Sequence, residues 1–237
     1  MTICAVSFDV WDTLLRLKPF HIKIAQEIAT QNNMNSMEIY EDMVKNYQQL
    51  KECRRNGKLR YDDIVNHCLE LSSQNLGISI ELLKQGVTRA VLNIEPYDLL
   101  VKEAPQILDE LYLQGKQIVT LGNLIFWPGS YNRILLERSG LTKYFKYQLY
   151  ADEIKYSKPS KEIFSRLCQT LNLEPQQIVH IGDNKIEDYE GALNFSLYGI
   201  WVNPSFNKDI EAKGKGAIVN SIVQIPKVIR LFEGNLN

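Results

Sequence analysis

The sequence predicts an α/β protein, a doubly wound (Rossmann-like) parallel sheet interrupted near its start by an all-helical insert. Three observations carry that expectation. The chain opens with an apolar run, "ICAVSFD", that stops at an acid. A stretch of about 75 residues then keeps helical apolar spacing throughout, too long for an ordinary loop. From there strand-like and helix-like patterns alternate almost to the end. At 237 residues and 45% hydrophobic content the chain has enough apolar surface for one large core, or a core plus a smaller module.

In chain order, residues 3–9 suit a strand buried on both faces, with the acid at its C-terminal end. From Pro19 to about Asn93, apolar residues recur three and four apart in "FHIKIAQEIATQNNM", "SMEIYEDMVKNYQQLKECRRNG", "YDDIVNHCLELSSQNLG" and "SIELLKQGVTRAVL", which predicts four consecutive helices. Asn56-Gly57 and Gly77 supply stops, since both residue types tolerate the left-handed conformation in which helices end. After "IEPYD" the expected order is a helix near 103–114, the strand "KQIVTLGN", a helix near 130–139 and the strand "YQLYAD". A helix at 160–172, the strand "QQIVHIGD", a helix near 187–194 and the strand "LYGIWVN" follow. Such alternation implies right-handed crossovers. Asn203-Pro204 and "NKDIEAKGKGA" predict a polar surface loop before "AIVNSIVQIPKVIRLF" closes the domain. The expected division is 1–17 plus 95–237 for the α/β core and 18–94 for the helical insert.

Composition excludes several function classes. The net charge is -1 and the basic residues are scattered, so nucleic acid and anionic membranes are not expected partners; small molecules are. Cys4, Cys53, Cys68 and Cys168 lie far apart with no CxxC pair, and no charged-then-apolar leader precedes the strand at Ile3. A reducing, cytoplasmic compartment is the expectation. No apolar run approaches the roughly 20 residues that span a bilayer.

In open α/β sheets ligands bind outside the carboxyl ends of the strands, so polar residues just after apolar runs are the candidates. Asp9, Thr120 to Asn123, Lys158 and the segment "IGDNKIED" occupy such places. Brought together, Asp9, Asp183 and Asp188 would form an oxygen-rich cluster suited to a hard cation such as Mg²⁺, without which their mutual repulsion raises their pKa values.

Taken in order, "FDVWDTLL", "VTLGN", "KPSKEIF" and "IGDNKIEDYEGA" resemble the motifs of the haloacid dehalogenase-like hydrolase superfamily, and the insert after the first motif resembles its four-helix cap. The resemblance covers essentially the whole chain. It implies that Asp9 is a nucleophile transiently phosphorylated in phosphatase members, with Thr13 in the same turn. Lys158 would neutralise charge on the nucleophile and the phosphoryl group. Asp183, with Asp188 nearby, would hold Mg²⁺ together with Asp9 and the backbone carbonyl of Trp11. A carboxylate nucleophile suits the chemistry, being ionised at neutral pH and forming an acyl phosphate that water hydrolyses.

Two positions depart from the family pattern. Where a hydroxyl residue usually precedes Asn123 and binds phosphoryl oxygens, this chain has Gly122; Thr120, on the same side of the strand, or the Gly122 N–H would serve instead. Trp11 stands where phosphatases have a second aspartate acting as general acid and base, a role typically worth about 10²–10⁴-fold. Asp12 reads as a turn residue bonding nearby backbone N–H groups, with catalytic rescue as its alternative.

Dehalogenating relatives also carry an aromatic residue at the position of Trp11, but they lack an acid where Asp183 stands. Mg²⁺-dependent phosphoryl transfer to a small phosphorylated substrate is therefore the expected function. Dehalogenation, or a fold that binds and turns over little, are its alternatives. His180 reads as a core histidine, and His21 and His67 lack ligand spacing. Arg54, Arg55, Lys58 and Arg60 suit a helix C-terminus or an anionic substrate, and Phe126 and Trp127 suit packing beneath the cap or substrate stacking.

Overall fold

The opening run becomes the middle of the sheet because none of its side chains can face water. Strand β1 (Ala5–Phe8) is buried along its whole length and pairs in parallel with strands on both sides. The computed structural model describes residues 2–234; Met1 and residues 235–237, which the sequence assigns to the core, lie outside the described residues.

Helices α1 (Leu17–Asn32), α2 (Ser36–Arg55), α3 (Ile64–Leu76) and α4 (Ile80–Asn93) form the insert, in the order expected. Their ends follow local chemistry. Asn35 accepts from the Met37 N–H to cap α2, and Ser79 from the Leu82 N–H to cap α4. Asn33 and Gly77 take left-handed conformations just past α1 and α3. The two connections to the core run side by side: Arg16 N–H donates to Leu99 O, and Val101 N–H to Leu14 O. That pairing lets a module be inserted without disturbing the sheet.

The short α5 (Pro96–Leu99) and α6 (Ala104–Leu113) lead into β2 (Gln117–Gly122), and α7 (Gly129–Arg138) into β3 (Phe145–Tyr150). A helical turn α8 (Ala151–Ile154) and α9 (Lys161–Leu171) precede β4 (Ile178–Gly182). A wide π-helical turn at Lys185–Glu190 runs into α10 (Gly191–Asn194) where one helix was expected, and β5 (Tyr198–Val202) follows.

One expectation fails. The segment "NKDIEAKGKGA" contains not a surface loop but the hairpin β6 (Ile210–Lys213) and β7 (Gly216–Val219), turned at Gly214 with a positive φ, before α11 (Ile225–Phe232). β6 is an edge strand carrying Glu211 and Lys213 to solvent, and charged edge residues resist pairing with other chains. Polarity at an edge imitates the composition of a loop.

The sheet order is β3-β2-β1-β4-β5-β7-β6, parallel except for the β6–β7 pair. Val6 and Phe8 face an apolar cluster that continues into the insert, while Ala5 joins Val119, Phe164 and Leu167 on the opposite face. No helix among the described residues is long and apolar enough to cross a membrane. Register then places the site: Phe8 sits opposite Thr120 on one side and Ile181 on the other. The next residues along, Asp9, Leu121 and Gly182, therefore emerge together at the carboxyl edge.

Candidate active site

Asp9 leaves β1 with its N–H bonded to Ile181 O at 2.8 Å. Its Oδ1 accepts from Lys158 Nζ at 2.7 Å, and the same ammonium reaches Asp188 Oδ1 at 2.7 Å and Leu121 O at 2.6 Å. Lys158 is 1% exposed, so a charge that water would otherwise solvate is held by these oxygens alone. Asn123 fixes it there. Its Oδ1 accepts from the Lys158 N–H at 2.8 Å, and its Nδ2 donates to Lys158 O at 3.0 Å and to Glu187 Oε2 at 3.1 Å.

Asp9, Asp183 and Asp188 bring ligand oxygens within 4.8 Å of one another. Asp188 is the most heavily bonded of the three, with Oδ1 accepting from Lys158 and His180 and Oδ2 from the Asn184 N–H. Its carboxylate packs so closely over Gly182 that a Cβ there would lie 2.2 Å from it, which explains glycine before Asp183. Trp201 Nε1 donates to Asp183 O at 2.8 Å and steadies the neighbouring backbone.

Electrostatics separates the three acids. Burial, joined by the Asp188 charge, lifts Asp9 to about 6 against the pull of Lys158. Burial and the charges of Asp188 and Asp9 also raise Asp183 well above the usual carboxylate range. Asp188 goes the other way: burial opposes its charge, but Lys158 and the His180 hydrogen bond hold it low. One ammonium thus satisfies one carboxylate fully and leaves the cluster over-charged, a donor set of hard oxygens that suits a divalent cation.

Of the remaining sequence candidates, Thr13 and Thr120 are fully buried, and neither they nor Gly122 line the cavity between the helical insert and the strand ends; Asn123 does. Gly122 has a structural reason. A Cβ there would meet the Tyr150 ring at 3.0 Å, so a hydroxyl residue would crowd the ring and force it to shift by a few tenths of an ångström. Asp12 behaves as a turn residue, with positive φ and its Oδ1 accepting from the Leu17 N–H at the start of α1.

Trp11 is built into the seam between the helical insert and the sheet. Its indole stacks on Phe20 of α1, with centroids 5.0 Å apart, and meets Trp127 edge-on at 5.5 Å. His21, Tyr47 and Phe126 complete the cluster around Trp127. Packing beneath the helical insert accounts for Phe126 and Trp127, each 1% exposed.

Sequence reasoning missed several residues. Tyr47 and Lys51 of α2 line the cavity from the helical insert, beside Arg54, which the sequence had offered for an anionic substrate; their 4- and 3-residue spacing on one helix face was the available signal. Arg54 pairs with Glu187 at 2.8 Å, both buried. His180, expected as a core residue, is one with two partners: Ser7 Oγ at 3.0 Å and Asp188 Oδ1 at 3.1 Å. The carboxylate cavity is small, about 40 Å³. A separate cleft of about 640 Å³ lies along α3, α4, Phe126 and Trp127, away from the acids.

A doubly wound sheet with a carboxylate, a buried lysine and two further acids at its carboxyl edge defines a hydrolase scaffold of one particular kind. The model of the haloacid dehalogenase-like hydrolases matches residues 3–195, and the chain belongs to that family. It is 25% identical over 210 residues to the 5-amino-6-(5-phospho-D-ribitylamino)uracil phosphatase YigB of Escherichia coli, covering 85% of this chain and 84% of that one. It is 24% identical over 217 residues to a phosphorylated carbohydrates phosphatase of Thermotoga maritima, covering 91% and 93%. Among solved structures it is similar to the HAD-hydrolase YfnB of Bacillus subtilis bound to magnesium, with TM-score 0.78 and 19% identity over 97% of this chain and 100% of that one. The chain is a hydrolase with phosphatase relatives.

Proposed function

We propose that this hydrolase is a Mg²⁺-dependent phosphatase of a small phosphorylated metabolite, working through an aspartyl phosphate on Asp9. One arrangement carries the reading: Lys158 Nζ lies 2.7 Å from the Asp9 carboxylate, with Asp183 and Asp188 oxygens clustered beside it. Asp9, the Trp11 backbone carbonyl and Asp183 would hold the cation, with Asp188 bonded behind them to Lys158, His180 and Asn184. Bound there, Mg²⁺ would offset the phosphoryl charge. The phosphatase relatives point to the same substrate class.

The Asp9 carboxylate attacks phosphorus as the bond to the leaving oxygen breaks. Water then attacks the acyl phosphate at phosphorus, releasing phosphate and restoring the carboxylate. With its pKa raised to about 6 by burial, Asp9 is still mainly ionised at pH 7. Lys158 offsets charge on the nucleophile and on the transferred group. Of the second-motif residues Asn123 lines the cavity; its side chain holds Lys158, and its backbone N–H would serve the phosphoryl group, while Thr13, Thr120 and Gly122 shape the strand ends around it. The insert at 18–94 is the cap, selecting the substrate and excluding water. Cys4, Cys53, Cys68 and Cys168 are all free thiols, in keeping with a cytoplasmic setting.

A panel of phosphate esters assayed with Mg²⁺ and with excess chelator tests the reading. Turnover that depends on Mg²⁺ is expected. Full activity in chelator, or hydrolysis of 2-haloacids in place of esters, would overturn it. Trp11 favours a second reading, a protein that binds the cation and turns over little, and Mg²⁺ binding without turnover of any ester would support that instead.

A further inference from the structure

A cavity of about 40 Å³ has room for a few waters and for no metabolite. Admission of any substrate therefore requires α2 to move away from the strand ends. The polar contact that holds α2 there centres on its penultimate residue. Arg54 donates through Nη1 to Leu124 O at 3.0 Å and through Nη2 to both Glu187 oxygens at 2.9 and 2.8 Å, and Arg55 Nε adds a bond to Glu187 at 3.2 Å. Glu187 belongs to the core, immediately before Asp188. Although burial opposes its charge, Arg54 holds its carboxyl below the usual range.

The same carboxylate accepts from Asn123 Nδ2, and Asn123 grips the Lys158 backbone on both sides. A continuous chain of hydrogen bonds thus runs from the cap, through Glu187 and Asn123, to the peptide that carries the ammonium against Asp9. We propose that Glu187 is a positioning residue that latches the cap and couples its closure to the placement of Lys158. The Lys158 half of this rests on the phosphatase reading; the latch half does not.

The physics of a buried ion pair suits the role. Opening the cap returns both charges to water together, so their hydration offsets the lost bidentate contact and the latch is reversible. Closing it removes water from the seam and fixes Asn123 from two directions. Substituting one partner is a different event, because it leaves a charge buried alone.

Tryptophan quenching reads the latch directly. Trp11 and Trp127 are 6% and 1% exposed at the seam, while Trp201 lies elsewhere, bonded to Asp183 O. Glu187→Gln keeps the shape and an acceptor oxygen but removes the charge. Arg54→Met combined with Glu187→Gln removes both buried charges and leaves only the part-exposed Arg55, which water can solvate. In each variant the acrylamide quenching slope should rise about twofold or more as the closed population falls. With an aryl phosphate, kcat should fall about tenfold as Lys158 loses its placement.

An unchanged quenching slope in folded variants would overturn the latch, and a raised slope with unchanged kcat would overturn the coupling to Lys158. If Glu187→Gln alone fails to fold, the neutral double variant decides. Failure of both to fold would make the pair structural and overturn the proposal. An inactive wild type would overturn the phosphatase reading, with the latch still decided by quenching.

Discussion

Replacing Trp11 with aspartate puts a carboxyl group two residues after Asp9, and the structure sets what the exchange costs. The indole is 6% exposed, stacked on Phe20 and edge-on to Trp127. Truncating a buried tryptophan typically costs about 3–5 kcal/mol, a range that includes ring contacts worth about 0.5–1.5 kcal/mol each. Trp11→Asp should therefore lose about 4 kcal/mol of stability, whereas Trp11→Phe, which can keep the Phe20 stack, should lose about 1–2 kcal/mol. A new carboxyl beside Asp9 and Asp183 would have its pKa raised by burial and like charge, as a general acid requires.

Urea unfolding followed by far-ultraviolet circular dichroism measures the cost. The slope of log kcat against leaving-group pKa, over aryl and alkyl phosphates, measures the chemistry. Wild type and Trp11→Phe should both show a steep slope, since neither offers a proton to the leaving oxygen. Trp11→Asp, assayed cold enough to stay folded, should show a shallower slope and faster alkyl-phosphate turnover. A loss below about 1 kcal/mol in Trp11→Asp would refute the packing role of the indole. A shallow wild-type slope would show that Asp12 or a cap residue already donates the proton.

Other expectations follow from the same geometry. Asp183→Asn should keep the fold and weaken Mg²⁺ binding by about 100-fold or more, so Mg²⁺ should raise the Tm of the wild type and not of the variant. His21, buried with no partner for Nε2 among the described residues, is pushed by burial from 6.5 to about 3. The unfolded chain binds that proton below about 6.5 and the folded chain does not until about 3, so stability is complete above 6.5 and falls about 1.4 kcal/mol per unit as pH drops below it. His21→Phe should remove that slope, and parallel unfolding curves at pH 7 and 5 for the two proteins would contradict it. Deleting residues 18–94 exposes Trp11, Phe126 and Trp127 on the core. The core should then give a cooperative unfolding transition only when those three positions are also made polar, and cooperative unfolding of the simple deletion would show the seam matters little.

Much of this was legible because apolar runs ending in polar residues are the one-dimensional trace of a parallel sheet's carboxyl edge. Asp9, Asn123, Lys158, Asp183 and Asp188 were picked out in that way; the sheet register aligns the strand ends that carry Asp9, Asn123 and Asp183, while Lys158 and Asp188 reach the cluster from the segments that follow β3 and β4. Apart from the spacing of Tyr47 and Lys51 on α2, what escaped has no one-dimensional trace. The pairing of Glu187 with Arg54 joins residues 133 positions apart. The glycine at 122 answers to the Tyr150 ring on the next strand, and Trp11 to Phe20 and Trp127. Strand β6 was hidden because an edge strand keeps its charges outward and so has the composition of a loop.

The most direct test of the account is to trap the intermediate. After brief reaction with an aryl or acyl phosphate and Mg²⁺, reduction with borohydride converts an aspartyl phosphate to homoserine, which peptide mass spectrometry locates. The account predicts homoserine at position 9, only when both substrate and Mg²⁺ are present, and none in the Asp9→Asn variant. Ester hydrolysis with no modification at Asp9, or with modification at Asp12 instead, would contradict it.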